Sequence, residues 1–147
     1  MGGMRSKLSV LWIFATVNYI YADVLCVMNP DLLKGYLAGS INGIAVTPAF
    51  LLAAGVLVEI PMAMILLSWF LAPRPNRWAN IAAASFMTLV QLASLFVGKP
   101  ALYYLFFSVI EIPTTAAIVW LAWRWDLRTV EAPDDLHDRK AQATGAE

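Results

Sequence analysis

The sequence has little cysteine, histidine and charge, and each shortage excludes a class of function. One cysteine, Cys26, cannot form an intrachain disulfide, a CxxC redox pair or a cysteine-rich metal site. One histidine, His137, lies in a polar C-terminal stretch, so the sequence predicts no metal site and no cofactor. Lys and Arg together number 10 of 147 residues and form no basic stripe, which argues against nucleic acid as a partner.

Apolar residues dominate the chain instead. They make up 61% of it, and the mean hydropathy of +0.69 is far above that of a soluble domain. Four apolar runs predict membrane spans at about residues 8–28, 45–71, 78–97 and 101–123, each long enough to cross about 30 Å of hydrocarbon. The sequence therefore predicts an all-α integral membrane protein, a four-transmembrane-helix bundle over residues 1–125. Residues 126–147 are predicted to form a polar, disordered cytoplasmic tail.

The basic residues that flank the spans predict an orientation in the lipid bilayer. Six of them fall on one side: Arg5, Lys7, Arg74, Arg77, Arg124 and Arg128. Opposite them stand Lys34 and Lys99. Because Lys and Arg beside spans tend to stay in the cytoplasm, both termini are predicted to be cytoplasmic, with most tryptophans near that interface.

The segments that connect the spans differ in length. Pro73–Arg77 and Gly98–Pro100 are predicted to be tight turns, whereas Asn29–Ile44 is a longer outer segment in which Asn29 caps a short helix with Pro30 at its first position. In that segment the spacing of Gly35, Gly39 and Gly43 indicates either close backbone packing on top of the bundle or a flexible loop. These glycines, or Ala82, Ala83 and Ala84, offer small-residue surfaces for a homo-oligomer.

The tripeptide Glu-Ile-Pro occurs twice, at residues 59–61 and 111–113. Both copies lie near the middle of helices that run from outside to inside in the predicted topology. The simplest explanation is a duplicated two-helix hairpin with a pseudo-twofold axis along the membrane normal, and the alternative is chance recurrence of three residues. Pro61 and Pro113 are predicted to kink their helices and to leave a free carbonyl one turn earlier.

Glu59 and Glu111 are the candidate functional residues, because a charged glutamate at this depth costs several kcal/mol. No Lys or Arg lies inside any span, so each glutamate is predicted to face the interior, either protonated or paired with a cation from outside the chain. Other polar side chains in or near the same layer extend the candidate ligand- or proton-binding site: Asn18, Tyr19, Asp23, Gln91 and Thr115. The alternative interpretation is that these side chains only hydrogen bond between helices.

Four segments carry a resemblance to a known family. They are Asn-Tyr-Ile-Tyr-Ala-Asp at 18–23, Gly-Tyr-Leu-Ala-Gly at 35–39, Asn-Arg-Trp-Ala-Asn at 76–80 and Leu-Phe-Phe-Ser-Val-Ile-Glu at 105–111. Over residues 5–125 the chain resembles a family of small bacterial integral membrane proteins of unknown function, and its four-helix plan is more remotely similar to the DoxX-like membrane proteins. The resemblance implies the fold and a bacterial cytoplasmic membrane, and it implies no activity.

Three hypotheses for function remain open from the sequence. The leading hypothesis is a small membrane transporter or ligand-binding protein in which Glu59 and Glu111 bind a proton, a cation or a lipophilic amine-bearing substrate. An intramembrane enzyme that acts on a lipid or isoprenoid, with the two carboxyls as acid and base, is less favoured, because no nucleophile with a base and no phosphate loop accompanies them. The third hypothesis is a structural subunit of a membrane complex.

Overall fold

The structure, a computed structural model, describes residues 3–41, 43–96 and 101–127, and this part of the chain is mostly helical. Its helices are α1 (Met4–Met28), α2 (Pro30–Leu37), α3 (Pro48–Phe70), α4 (Pro73–Ser94) and α5 (Leu102–Trp123). Two short antiparallel strands, β1 (Ser40–Ile41) and β2 (Ile44–Ala45), form a hairpin between α2 and α3. The predicted turn at Gly98–Pro100 and the predicted tail from residue 128 onward lie outside the described residues.

The four long helices pack as an up-and-down ring. Ser9 near the start of α1 donates a hydrogen bond of 3.1 Å to the carbonyl of Ile65 near the end of α3, so these helices are antiparallel. Gln91 near the end of α4 donates to Ser108 near the start of α5, which makes that pair antiparallel as well. Because α1 packs against α3 and α5, and α4 against α5 and less closely α3, the order around the ring is α1, α3, α4, α5.

The bundle buries polar as well as apolar side chains and exposes many large apolar ones. The buried polar residues are Ser9, Thr16, Ser68, Asn76, Asn80, Gln91, Ser108, Glu111, Thr114 and Thr115. The outer surface carries large apolar side chains such as Phe70, Phe106 and Val109. An exposed apolar surface of this extent is unfavourable in water but suits hydrocarbon, in which small and polar residues hold helices together. This distribution is typical of a protein embedded in lipid.

Three of the long helices, α1, α3 and α5, are long and apolar enough to cross a membrane. The 22 residues of α4 reach about 33 Å, but α4 is less apolar because it contributes much of the polar interior. The predicted membrane protein is thus supported by three candidate spans, and the fourth span stays a prediction.

The start of α4 differs from the sequence prediction. Pro73–Arg77 was expected to be a tight turn, but α4 begins at Pro73, so that expectation is wrong. The first backbone N–H groups of a helix have no partner inside it, and proline therefore fits the first turn without loss of a hydrogen bond. Asn76, in this first turn, is completely buried.

The outer segment confirms one expectation and corrects another. The side chain of Asn29 accepts a hydrogen bond of 3.0 Å from the backbone of Asp31 and caps α2, whose first residue is Pro30. Gly39 and Gly43, by contrast, do not pack on the bundle: they have φ angles of +75° and +82° and shape the hairpin. These two are therefore turn glycines.

Basic residues gather at one end of the ring. Arg5 of α1 donates to the carbonyl of Trp69 at the end of α3, and the guanidinium of Arg77 lies 5.6 Å from the ring centre of Trp123. The starts of α1 and α4 and the ends of α3 and α5 therefore share this end. Most tryptophans near it are exposed, but Trp12 is completely buried and is not part of an interfacial belt.

Candidate functional site

A cavity of about 160 Å³ lies inside the ring. The lining comes from all four long helices: Tyr19, Ala22 and Asp23 of α1, Leu57 and Val58 of α3, Met87, Val90, Gln91 and Ser94 of α4, and Tyr104 and Glu111 of α5. These residues come from the second halves of α1 and α4 and the first halves of α3 and α5. The cavity therefore occupies the half of the bundle away from the basic end.

Glu111 is the buried carboxyl of this cavity. It lies near the middle of α5 and is 1% exposed, and its Oε1 atom has no hydrogen-bond partner among the described residues. Side chains one helical turn away on the same face, Ser108, Thr114 and Thr115, are buried as well. The polar face of α5 thus carries Glu111 into the interior of the ring.

Tyr19 contributes a second buried polar atom without a partner. Its hydroxyl has no hydrogen bond within the described part of the chain, and its ring lines the same cavity as Glu111. The Tyr19 phenol and the carboxyls of Asp23 and Glu111 line this one cavity. Buried polar groups are nearly always hydrogen bonded, so two unpaired atoms at one cavity make this cavity the candidate functional site.

A chain of hydrogen bonds fixes the polar side chains of α4 and α5 at the cavity. Gln91 Nε2 donates to Ser108 Oγ over 2.8 Å, and Ser108 donates in turn to the carbonyl of Tyr104. Ser94 donates to the carbonyl of Gln91, and the Tyr104 hydroxyl lies 2.5 Å from Ser94 Oγ. The sequence interpretation missed Ser94, although its position three residues after Gln91 places both on one helix face.

Glu59 lies outside the cavity. It is on the exposed surface of α3 and does not line the cavity, so the expectation that both glutamates face the interior is wrong for Glu59. The sequence contained a signal for this difference. Three of the four residues that lie three or four positions from Glu111 are polar: they are Phe107, Ser108, Thr114 and Thr115. None of those around Glu59 is polar: they are Gly55, Val56, Met62 and Ala63. The duplicated hairpin stays a prediction, and the two glutamates of its proposed copies lie in different environments.

The other predicted site residues divide between the cavity and the helix contacts. Asp23 lines the cavity at its exposed mouth. Asn18 does not line it and donates to the carbonyl of Phe14 in its own helix. Thr115 is buried outside the lining, where Thr88 donates to its hydroxyl over 2.7 Å. Pro61 and Pro113 lie within continuous helices, and the predicted kinks stay predictions.

A second polar cluster, near the basic end, is fully hydrogen bonded. Trp12 Nε1 donates to Asn80 Oδ1 over 2.7 Å, Asn80 Nδ2 donates to Asn76 Oδ1 over 2.6 Å, and Asn76 Nδ2 donates to the carbonyl of Ser68 over 2.7 Å. These bonds join α1, α3 and α4. Because each side chain is used in helix contacts, we interpret this cluster as structural. The sequence interpretation missed it, although Asn76 and Asn80 lie one helical turn apart.

The charges that line the cavity are of one sign. Among the described residues, Asp23 and Glu111 are its ionisable carboxyls, and no Lys or Arg lines it. Leu57, Val58 and Val90 make much of the remaining wall apolar. Within the described residues, no group of three or more metal-ligating side chains occurs. The described lining of the cavity is therefore largely apolar, with two acidic side chains.

The chain belongs to a family of unknown function, DUF6326, whose profile matches residues 2–132. This match confirms the expectation of an uncharacterised family, and it assigns no activity. No curated protein and no solved structure matches the chain.

Proposed function

We propose that this protein is a small membrane transporter or ligand-binding protein whose cavity takes a small lipophilic amine, with Glu111 as the anionic group that pairs with it. The observation that carries the proposal is the pair of buried, unpartnered atoms at the cavity, Glu111 Oε1 and the Tyr19 hydroxyl. An unpaired carboxyl inside a membrane bundle is unfavourable, and such residues generally mark ligand or proton pathways.

An ammonium group satisfies both atoms at once. It donates to the Glu111 carboxylate and to the phenol oxygen of Tyr19, while the apolar body of the ligand contacts Leu57, Val58 and Val90. The cavity of about 160 Å³ is close to the size of an engineered protein cavity that binds benzene, which suggests a ligand of roughly six to ten heavy atoms. In the absence of the amine, the Glu111 carboxyl carries a proton. Replacement of this proton by the amine would couple ligand binding to proton release.

Asp23 marks the route of access to the cavity. It lines the interior cavity and also a shallow groove on the outer side of α1, together with Ile20, Val24, Val27 and Met28. An amphipathic amine in the outer leaflet would place its apolar part along this groove and its charge at Asp23. From there the ammonium group moves inward to Glu111.

The proposed protein has four membrane spans, of which α4 is the least apolar. It lies in a bacterial cytoplasmic membrane, and both of its termini are in the cytoplasm. The polar residues of α4 that lower its hydropathy, such as Asn80 and Gln91, are buried, and its outward side carries Phe86 and Leu89. The basic residues of the chain support the orientation, because Arg5 and Arg77 share one end of the ring.

The proposal is tested by calorimetric titration of the purified full chain in lipid nanodiscs with benzylamine, and with benzyl alcohol as the neutral isostere. We expect benzylamine to bind more tightly than benzyl alcohol. Glu111→Gln should weaken benzylamine binding by roughly tenfold or more, since hydrogen bonds to charged groups contribute about 1.5–3 kcal/mol.

Glu59→Gln is the matched control, because it makes the same substitution in the same tripeptide outside the cavity. It should leave the affinity unchanged. Equal binding of the alcohol and the amine, or full affinity in Glu111→Gln, would refute the proposal. Uptake of benzylamine by proteoliposomes then separates a transporter from a protein that only binds.

A further inference from the structure

One face of α3 is left uncovered by the described chain, and Glu59 lies at its centre. The face carries exposed apolar side chains on both sides of Glu59, among them Leu52, Val56 and Leu66. Of the three candidate spans, α3 is the most apolar and the least buried. Glu59 is also the middle residue of the helix Pro48–Phe70, so its carboxyl lies near the middle of the bilayer.

In a single chain in a bilayer, the Glu59 carboxyl would face acyl chains. No hydrogen bond or ion pair joins it to any residue that the structure describes. Ionisable residues within membrane spans almost always face a protein interior or pair with another polar group. The face of α3 around Glu59 therefore requires a cover that supplies a hydrogen-bond partner at that depth.

Gly55 supports the same inference independently. It lies one helical turn before Glu59, and a Cβ atom placed there would meet no atom within 4 Å, so packing inside the chain does not require a glycine. Glycine within a helix lowers stability relative to alanine. Ala63 lies one turn after Glu59. Small residues on both sides of the carboxyl allow another helix to approach its backbone closely.

We propose that this face of α3 binds the same face of a second copy of the chain, with the two Glu59 carboxyls paired. Two copies inserted in one orientation are related by a twofold axis along the membrane normal, so residues of equal depth meet. The carboxyl group is self-complementary, because an O–H of one copy donates to a carboxyl oxygen of the other. A different protein would need a hydrogen-bond donor at this depth, whereas a second copy of the chain supplies its own Glu59 carboxyl there. This dimer is independent of the cavity and of its ligand.

Cysteine cross-linking in membranes tests the geometry of the dimer. The background for these variants is Cys26→Ser, and it retains Glu59. The test variants, Val56→Cys and Met62→Cys, place a thiol on either side of the Glu59 carboxyl. The control variants, Phe106→Cys and Val109→Cys, place a thiol on the equally exposed face of α5. A short bismaleimide should link two copies of the chain through the α3 positions and not through the α5 positions. Equal yields on both helices, or no link at Val56 and Met62, would overturn the proposal.

Energy transfer between donor- and acceptor-labelled full chains in phosphatidylethanolamine and phosphatidylglycerol vesicles tests the role of the carboxyl. Glu59→Leu and Gly55→Leu should each weaken association by about tenfold, while Val109→Leu should leave it unchanged. Both α3 variants make an exposed site more apolar, so the single chain stays compatible with lipid. Unchanged energy transfer in both, or cross-linking of α3 only to another protein, would show that a second copy is not the cover.

Discussion

Asn80 is the most extensively bonded side chain of the cluster near the basic end. It is completely buried, accepts from Trp12 and donates to both the carbonyl and the side chain of Asn76. Asn80→Ala would leave the Trp12 indole N–H without its partner inside the bundle. We expect a loss of about 1–2 kcal/mol in the free energy of unfolding, measured by denaturation in mixed micelles with increasing sodium dodecyl sulfate.

The control for this prediction is Asn18→Ala. Asn18 is half-buried and, among the described residues, bonds only the carbonyl of Phe14 in its own helix, so its loss should shift the unfolding midpoint much less. Equal shifts for the two variants would show that the cluster adds nothing beyond an ordinary helix contact. The same comparison separates structural polar residues from those of the cavity, since Asn80 is remote from the cavity lining.

Residue patterns predicted several of the residues that line the cavity, but they did not show which of the two glutamates faces it. Tyr19, Asp23, Gln91 and Glu111 were predicted from depth and polarity, and all four line the cavity. Depth alone predicts the same environment for Glu59 and Glu111, because the depth of a residue does not show whether its side of the helix faces the interior or the lipid. The rotation follows from residues three and four positions away, which are mostly polar around Glu111 and not polar around Glu59.

At the scale of the element, α4 shows why hydropathy alone is an incomplete criterion for a span. Its buried face carries Asn76, Asn80 and Gln91, whereas Phe86 and Leu89 face outward. The polar groups lower its average hydropathy, yet neighbouring helices shield them from lipid. We therefore predict that α4 crosses the membrane between its neighbours.

Cysteine accessibility checks this prediction for α4. In the Cys26→Ser background, Pro75→Cys and Phe96→Cys place thiols at exposed positions near opposite ends of the helix. A membrane-impermeant maleimide should label Phe96→Cys in intact cells and Pro75→Cys only after permeabilisation. Labelling of both from the same side would show that α4 lies along the membrane surface.

Element boundaries were predicted well where local chemistry sets them. The cap at Asn29 and the helix start at Pro30 were both predicted, because a capping side chain and a proline act on their immediate neighbours. The start of α4 was missed, because prolines in a first helical turn resemble prolines in a loop. The β1–β2 hairpin was missed as well, since Gly39 and Gly43 fit both a packing motif and a turn.

At the scale of the whole molecule, composition predicted a membrane-embedded helical protein, but the sequence did not specify which helices touch. That arrangement depends on contacts between distant residues, such as Ser9 with Ile65 and Thr88 with Thr115. The ring in turn explains why the two glutamates differ. A closed ring of four helices has one interior, and the rotation of α3 turns Glu59 to the outside of it.

The last prediction follows from this separation of inside and outside. The described lining of the cavity lies inside the ring of one copy, whereas Glu59 lies on the outside of that ring. Glu59→Leu should therefore abolish most energy transfer between copies and leave the benzylamine affinity per chain unchanged. Glu111→Gln should have the opposite effect, with weak amine binding and normal association. Calorimetry and energy transfer on the same nanodisc and vesicle preparations measure both quantities. If either variant changed both quantities equally, the cavity and the α3 face would be parts of one site, and binding would require the dimer.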